Sequence, residues 1–428
     1  MPRDYFVLKS ELVTFATLMV NDRKYDTLVL VTDSFPFGGS TEPSFVLPEL
    51  AELSRVFGRV IIMPTIAIGP RADYDMPEAV EVDTSWLDYP QWRHRILRSW
   101  RIAQPSALAG IRGDFTFSGI TFSIAAHTFA SFIGRWIRRR NINISHTLFY
   151  TFWFDLATCG LALASRRLPL KFFTRAHGHD VYTPRVPRLR SLAATKALGV
   201  YAVGEAAACR LQTDFPDSSE KIEVIRLGSV FHGKNTKFQR ACDKTSITVL
   251  SVARVAPEKR VSLNYALLRA LAIARSSCRV KWIHIGDGPM MQDLKSAVIR
   301  DCPDNLSVDL RGECANDEVH RMYCEVSIDW TMLLSTGEGL PVSICESLSY
   351  GVPVIATAVR GIEEALTDDC ALMLPPDPEP EEFVRGIIPY IDSGSRYAAM
   401  REAARQRWCR CFDADALRCE FVRKISKL

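Results

Sequence analysis

The chain has 428 residues, 47% hydrophobic and 24% charged. At roughly 100–200 residues per domain that length implies two or three domains, and the composition excludes disordered, collagenous and low-complexity classes. A formal net charge of only +4 argues against a nucleic-acid partner.

The N-terminal run MPRDYFVLKSELVTF puts Asp4, Lys9 and Glu11 where a secretory leader needs apolar residues. The 12 cysteines include no C-x-x-C pair. Together these features predict reduced thiols and a cytoplasmic location. Cys314, His320 and Cys324 have loose metal-like spacing, and Cys409, Cys411 and Cys419 cluster near the end. Neither group completes a four-ligand pattern, so no metal site is expected.

Residues 28–32 (LVLVT) read as a buried strand and 60–63 (VIIM) as the next. Between them Val46, Leu50, Leu53 and Phe57 recur at helical spacing. Residues 115–134 are the longest stretch without formal charge and are about long enough to cross a bilayer core of ~30 Å. Thr, Ser, His127 and Gly interrupt that stretch, so no span is expected. Its surroundings are basic: residues 91–140 hold nine arginines and one acid, Asp114, with Trp92, Trp100 and Trp136 interleaved. That pattern suits an interfacial helix on an anionic membrane surface. Residues 144–182 read as two further strand-to-loop units.

The second half begins afresh with a strand at 247–252. A helix over 261–276, a strand at 280–285, a helix at 289–300 and strands near 306–310 and 325–333 follow. A helix from Pro341 and a strand at 352–357 come next. Such alternation predicts an α/β protein of two doubly wound parallel sheets. The polar stretch 232–246 reads as a linker. The expected organisation is an N-terminal domain over 1–231, a C-terminal domain over 247–405, and a terminal helix at 406–428 packing back on the first. A ligand cleft is expected between the two domains, outside the carboxyl ends of their strands.

Four features between 250 and 370 suit a diphosphate-bearing ligand. Arg254 and Lys259, just past a strand, offer a fork and a point charge five residues apart. Gly286 and Gly288, in G-D-G-P, permit a sharp turn and close backbone approach, with Pro289 fitting the first turn of the next helix. In E-G-L-P-V-S-I-C-E, Pro341 suits a helix start, so amides around Gly339 and Leu340 would form an electropositive helix mouth. Glu346 lies about 7.5 Å further along the axis, placed for ribose hydroxyls. Glu338 sits in the loop, placed for sugar hydroxyls. The fourth feature is the strand and loop at 353–364.

The run E-G-L-P-V-S-I-C-E-S-L-S-Y-G-V-P-V-I-A-T, with A-R-V-A-P-E-K upstream and G-D-G-P between, resembles the retaining glycosyltransferases of family 4. Glu338 and Glu346 meet that family's E-x7-E spacing. The resemblance is strong over about 245–370. It is weaker in the first half, through F-P-F-G-G at 35–39 and T-R-A-H-G-H-D at 174–180. It implies a GT-B fold, in which two Rossmann-like domains face a central cleft, and transfer of a sugar from a nucleotide-diphosphate sugar. Family enzymes of this kind suggest a glycan or lipid-linked acceptor in bacterial surface polysaccharide assembly, without a metal cofactor, on the cytoplasmic side of the membrane.

The resemblance also implies residue roles. Arg254 and Lys259 look like the pair that neutralises the donor diphosphate, Glu346 like the ribose ligand, and Glu338 like the residue contacting the transferred sugar. Gly38 and Gly39 resemble the first-domain loop that approaches the diphosphate. His177 matches the family's active-site histidine, with His179 the lesser candidate and Asp180 expected to orient the loop. Arg360 replaces the first glycine of the family's late G-G pair, and a longer loop leaves the role of Glu42 open. The triplet Asp73-Tyr74-Asp75 resembles the metal motif of another transferase fold and reads as coincidence here. A nucleotide-sugar epimerase, a phosphorylase and a non-catalytic nucleotide-sugar-binding scaffold remain alternatives.

Overall fold

The structure, a computed structural model, describes residues 24–38, 42–89, 117–182, 187–233 and 245–428. The chain divides into two compact units, one running to Ile225 and completed by Ala416–Leu428, the other spanning Arg226–Asp415.

The first unit is built on a seven-stranded parallel sheet. Its strands are β1 (Thr27–Thr32), β2 (Arg59–Pro64), β3 (Val80–Val82), β4 (Thr147–Thr151), β5 (Lys171–Ala176), β6 (Val200–Ala202) and β7 (Ile222–Val224), in the order β3-β2-β1-β4-β5-β6-β7. Thr27 aligns with Arg59 on one side and Thr147 on the other. The central strands β1 and β4 are largely apolar because both faces are covered. Val29 and Val31 point into one core layer, and Leu28 and Leu30 into the opposite one.

Helix Phe117–Arg139 covers the first layer. It holds most of the long uncharged stretch. Its Phe129, Phe132, Ile133 and Trp136 are buried beside Trp86. The Trp136 indole donates to Asp83 Oδ2 at 2.9 Å. Trp136 is therefore a core residue, not a membrane anchor, because its N–H finds an acceptor inside the unit. Trp92, Trp100 and the arginines before residue 117 lie outside the described residues. Among the described residues no helix is long and apolar enough to cross a membrane.

The opposite layer holds helix Pro43–Val56, which buries Val46, Leu50 and Leu53, and helix Ala414–Ile425 near the C-terminus. Phe421 is fully buried against Tyr150, Phe173 and Tyr201. The Arg175 guanidinium lies 4.2 Å from the Phe421 ring centroid and pairs with buried Glu49.

The second unit carries a six-stranded parallel sheet. Its strands are β8 (Ser246–Val252), β9 (Arg279–Ile285), β10 (Leu306–Leu310), β11 (Trp330–Leu333), β12 (Val354–Thr357) and β13 (Ala371–Leu374), in the order β10-β9-β8-β11-β12-β13. Helices Val261–Ala274 and Pro380–Asp392 pack on one face, and Val342–Ser349 on the other. Residues 406–411 continue helix Gly394–Cys411 of this unit. Trp408 Nε1 donates to Ser229 Oγ at 3.0 Å, joining the two ends of the segment.

Phe421→Ala removes an aromatic ring from a closed core, which typically costs about 3–5 kcal/mol. Urea denaturation followed by fluorescence is expected to show that loss in the first unit.

Candidate functional site

In the second unit strand order reverses at β8, whose neighbours are β9 and β11. Ligands of open parallel sheets bind beyond the carboxyl ends at such a reversal. Three chain exits meet there. Ala253 N donates to Ile285 O at 3.0 Å, Val255 N to Asp287 O at 2.9 Å, and Thr336 N to Glu258 O at 2.9 Å. The glycines of G-D-G-P make the first contact possible. A Cβ on Gly286 (φ +137°) would stand 1.9 Å from Ala253 O, and one on Gly288 2.4 Å from Val255 O. Helix Met291–Arg300 starts two residues after Pro289, not at it. Met290 N is tied back to Val255 O at 3.1 Å, so the chain winds only beyond that bond.

Lys259 Nζ lies 2.5 Å from Glu338 Oε1, which also accepts from Ser335 Oγ at 2.5 Å. Arg254 is largely exposed and pairs with Glu258 Oε1 at 2.7 Å. The Arg254 hydrogen bond, helped by the charge of Lys259, holds the Glu258 carboxyl below the usual range. Sequence reasoning passed over Glu258, although it is the acid that both cations sense. Next to them Arg260 adopts a left-handed conformation (φ 47°, ψ 41°) that costs a non-glycine residue energy. Its guanidinium offsets this by donating to Leu334 O at 2.6 Å and Pro376 O at 2.7 Å.

Glu338, Gly339 and Leu340 lead into helix Val342–Ser349, with Pro341 as the extended residue before it. Glu338 N is already committed to Arg360 O at 3.0 Å. Gly361 (φ +83°) lies so close that a Cβ would be 2.2 Å from Gly339 O. Both residues of the R-G pair thus meet this loop, Arg360 through its carbonyl oxygen and Gly361 through its backbone, and Arg360 as a whole is exposed.

Glu346 is buried on that helix, and its Oε1 accepts from Asn316 Nδ2 at 2.8 Å. Burial pushes its carboxyl up to about 7, with the Asn316 bond pulling the other way. His320 Nε2 stands 3.8 Å from the same oxygen, and His320 Nδ1 lies 3.0 Å from Tyr350 Oη. Burial pushes His320 down to about 4, so it is neutral at neutral pH. Asn316 carried no motif and His320 only a loose metal-like spacing with Cys314 and Cys324, since their proximity to Glu346 comes from packing.

In the first unit the corresponding reversal lies at β1, between β2 and β4. Glu42 is buried there. Its Oε1 accepts from Asp33 N at 2.7 Å and Trp153 Nε1 at 2.7 Å; its Oε2 accepts from Ser34 N at 2.7 Å and Phe35 N at 2.8 Å. This carboxylate fastens the exits of β1 and β4 together. Gly38 N donates to Pro70 O at 3.1 Å, and a Cβ at Gly38 would meet nothing closer than 3.8 Å. Gly39 lies outside the described residues.

His177 follows β5 and is buried between Phe152 and Trp153, with ring centroids 4.7 and 4.4 Å away. Asp180 accepts from His177 N and Phe154 N, both at 2.6 Å, and so ties the exits of β4 and β5. Burial, with the Arg175 charge, pushes the His177 imidazole well below its ordinary value. Neither ring nitrogen has a partner among the described residues. A neutral imidazole offers one donor and one acceptor, a match for a hydroxyl. His179 is exposed, as are Asp73 and Asp75, while Tyr74 stacks on Phe35. Among the described residues no group of acids, histidines and cysteines could hold a metal.

Two parallel-sheet α/β units of seven and six strands define a GT-B fold. Solved structures agree. Anabaena Alr3699/HepE in complex with UDP matches with a TM-score of 0.63 at 18% identity, covering 94% of this chain and 100% of that one. The lipopolysaccharide outer core galactosyltransferase WaaB in its apo form gives 0.64 at 14% identity, with coverage of 94% and 100%. Within this fold, residues 234–407 match the family described as Glycosyl transferases group 1. The amylovoran biosynthesis glycosyltransferase AmsK of Erwinia amylovora is 27% identical over 175 residues, 37% of this chain and 39% of that relative. The match thus spans about two fifths of that relative's length.

Glu42→Gln replaces an acceptor-only carboxylate with a group that has one acceptor oxygen, leaving backbone N–H groups unpaired. Two of the four donors then lose their acceptor; at about 1–3 kcal/mol per unsatisfied buried group, a loss of about 2–6 kcal/mol is expected in urea denaturation.

Proposed function

We propose that the protein is a retaining glycosyltransferase of family 4. It moves a sugar from a nucleotide-diphosphate sugar to a hydroxyl of a glycan or lipid-linked acceptor in polysaccharide biosynthesis. The observation that carries this reading is the cluster of Lys259, Glu338 and Ser335 at the strand reversal, just ahead of the helix that bears Glu346. The match of this unit to a glycosyltransferase family supports it, as does the polysaccharide role in the name of AmsK. The UDP complex of Alr3699/HepE, on the same fold, supports a nucleotide donor.

In this reading the diphosphate competes with Glu338 for Lys259, and Arg254 supplies a second cation from its exposed position. Charge develops on the leaving diphosphate as the glycosidic bond breaks. Cations and helix-mouth amides already in place stabilise that charge more than they stabilise the bound donor. Glu338 accepts from sugar hydroxyls, Glu346 from the ribose, and the glycine turns at Gly286, Gly288 and Gly339 let backbone approach. As in family 4, attack comes from the face the leaving group departs from, and a phosphate oxygen takes the acceptor's proton. In the first unit, neutral His177 is the candidate for binding a sugar hydroxyl. The reading assigns the leaving-group charge to protein groups, so no metal cofactor enters it.

Lys259→Ala is expected to cut turnover by about 10²–10³, measured as nucleotide release from a panel of UDP- and GDP-sugars. Glu346→Ala is expected to weaken nucleotide binding, and a chelator to leave the wild-type rate unchanged. Wild-type rates in both variants overturn the assignment; no release with any donor favours the scaffold alternative.

Peripheral contact with an anionic membrane surface through residues 91–140, on the cytoplasmic face, belongs to the same proposal. It rests on the arginines of that stretch, since Trp136 is committed to the core. Flotation with liposomes at low salt is expected to require anionic lipid; no flotation refutes the contact.

A further inference from the structure

We propose that Asn316 positions the Glu346 carboxylate, and that a donor's ribose binds only to the ionised carboxylate, so that donor binding expels a proton. This rests on the donor site proposed above and adds to it an orienting residue and a pH dependence.

Asn316 is the first residue of helix Asn316–Glu325, and its amide N–H holds Glu346 Oε1 at 2.8 Å. Glu346 is only 4% exposed. Among the described residues no lysine or arginine pairs with it, and the ion-pair partner within 4 Å is His320, at 3.8 Å. A buried carboxyl with no counter-charge prefers its neutral form. Two vicinal hydroxyls that donate need an oxygen pair that only accepts, and the protonated acid puts its own O–H on one of them. Proton and ribose therefore compete for one carboxyl.

Four neighbours, His320, Tyr323, Tyr350 and Cys345, do not titrate in Glu346's place. His320 is pushed down to about 4 by burial, by the His232 ring 4.2 Å away and against the pull of Asp317. Tyr323 and Tyr350 stack at 4.9 Å; burial pushes both hydroxyls up, and Cys324 adds to the rise at Tyr350. Burial likewise pushes up the Cys345 thiol, against the pull of Arg226. Glu346 itself sits at about 7. The sign follows. Affinity is full above that midpoint and falls as pH drops through it, and binding below it releases a proton.

Isothermal titration of the full chain with UDP-glucose and GDP-mannose tests this from about pH 5.5 to about pH 8.5, in two buffers of different ionisation heat. The diphosphate esters of these probes do not titrate in that range. Affinity is expected to be about tenfold weaker at pH 6 than at pH 8, as the competent fraction falls. Glu346→Gln is expected to bind weakly with a flat profile. Asn316→Ala, and the isosteric Asn316→Asp, are expected to move the midpoint upward; a merely structural Asn316 would weaken binding equally at every pH. His232→Asn is expected to leave the midpoint in place. A flat wild-type profile, a midpoint unmoved by both Asn316 variants, or one abolished by His232→Asn overturns the inference while leaving the donor site intact. If neither nucleotide sugar binds at any pH, the donor site itself falls, and this inference with it.

Discussion

The contact between Lys259 and Glu338 joins two segments 79 residues apart in sequence, and it is possible only because β8 and β11 are adjacent, parallel and aligned at their carboxyl ends. Parallel strands need a crossover helix to return the chain, so every strand exit of one sheet lies on the same edge. Where strand order reverses, neighbouring exits diverge and leave a crevice. The cations, the glycine turn, the E-G-L-P loop and the helix mouth of the second unit all stand at that edge. Loop-to-loop bonds keep the crevice lined. Arg260 pins the turn after β8 to Leu334 and Pro376, and Gly361 lies flat on the Glu338–Gly339 peptide.

The first unit solves the same mechanical problem with buried carboxylates. Glu42 gathers three amides and an indole from the exits of β1 and β4, and Asp180 gathers two amides from the exits of β4 and β5. Both acids are buried, where an unpaired charge would be costly, and a fan of N–H donors is what makes that placement tolerable. For Asp180 the compensation is partial, and burial pushes its carboxyl up to about 7. The result is a floor of Phe152 and Trp153 against which His177 is held with both ring nitrogens unpaired among the described residues.

Much of this was legible in the residues. Short apolar runs alternating with helical spacing predicted both parallel sheets, and β1, β2, β8, β9, β10 and β12 fall where that reading put them to within a residue or two; of the 325–333 segment only Trp330–Leu333 is strand, β4 and β5 lie in the two units read over 144–182, and the short strands β3, β6, β7 and β13 were not anticipated. Arg254, Lys259, Gly286, Glu338 and Glu346 were visible because a glycine turn, a proline at a helix start and acids at E-x7-E spacing are local patterns. Glu42, Glu258, Asn316 and His320 gave no such signal. Each acts through a partner distant in sequence or through a side-chain orientation set by packing. The inward placement of Trp136 was hidden for a related reason. Composition gives the apolar content of helix Phe117–Arg139 but not the acceptor, Asp83, that draws Trp136 inward.

The sequence by itself determined the period of each element, the parallel character of the sheets and the residue types available at the strand exits, because these follow from short-range sterics and from which side chains leave water. Tertiary structure alone decided which exits became neighbours, which acids were paired with cations and which were buried among amides, and hence where each carboxyl titrates. Strand order and burial are properties of the packed chain, and the electrostatics of a carboxylate depends on what surrounds it more than on what precedes and follows it.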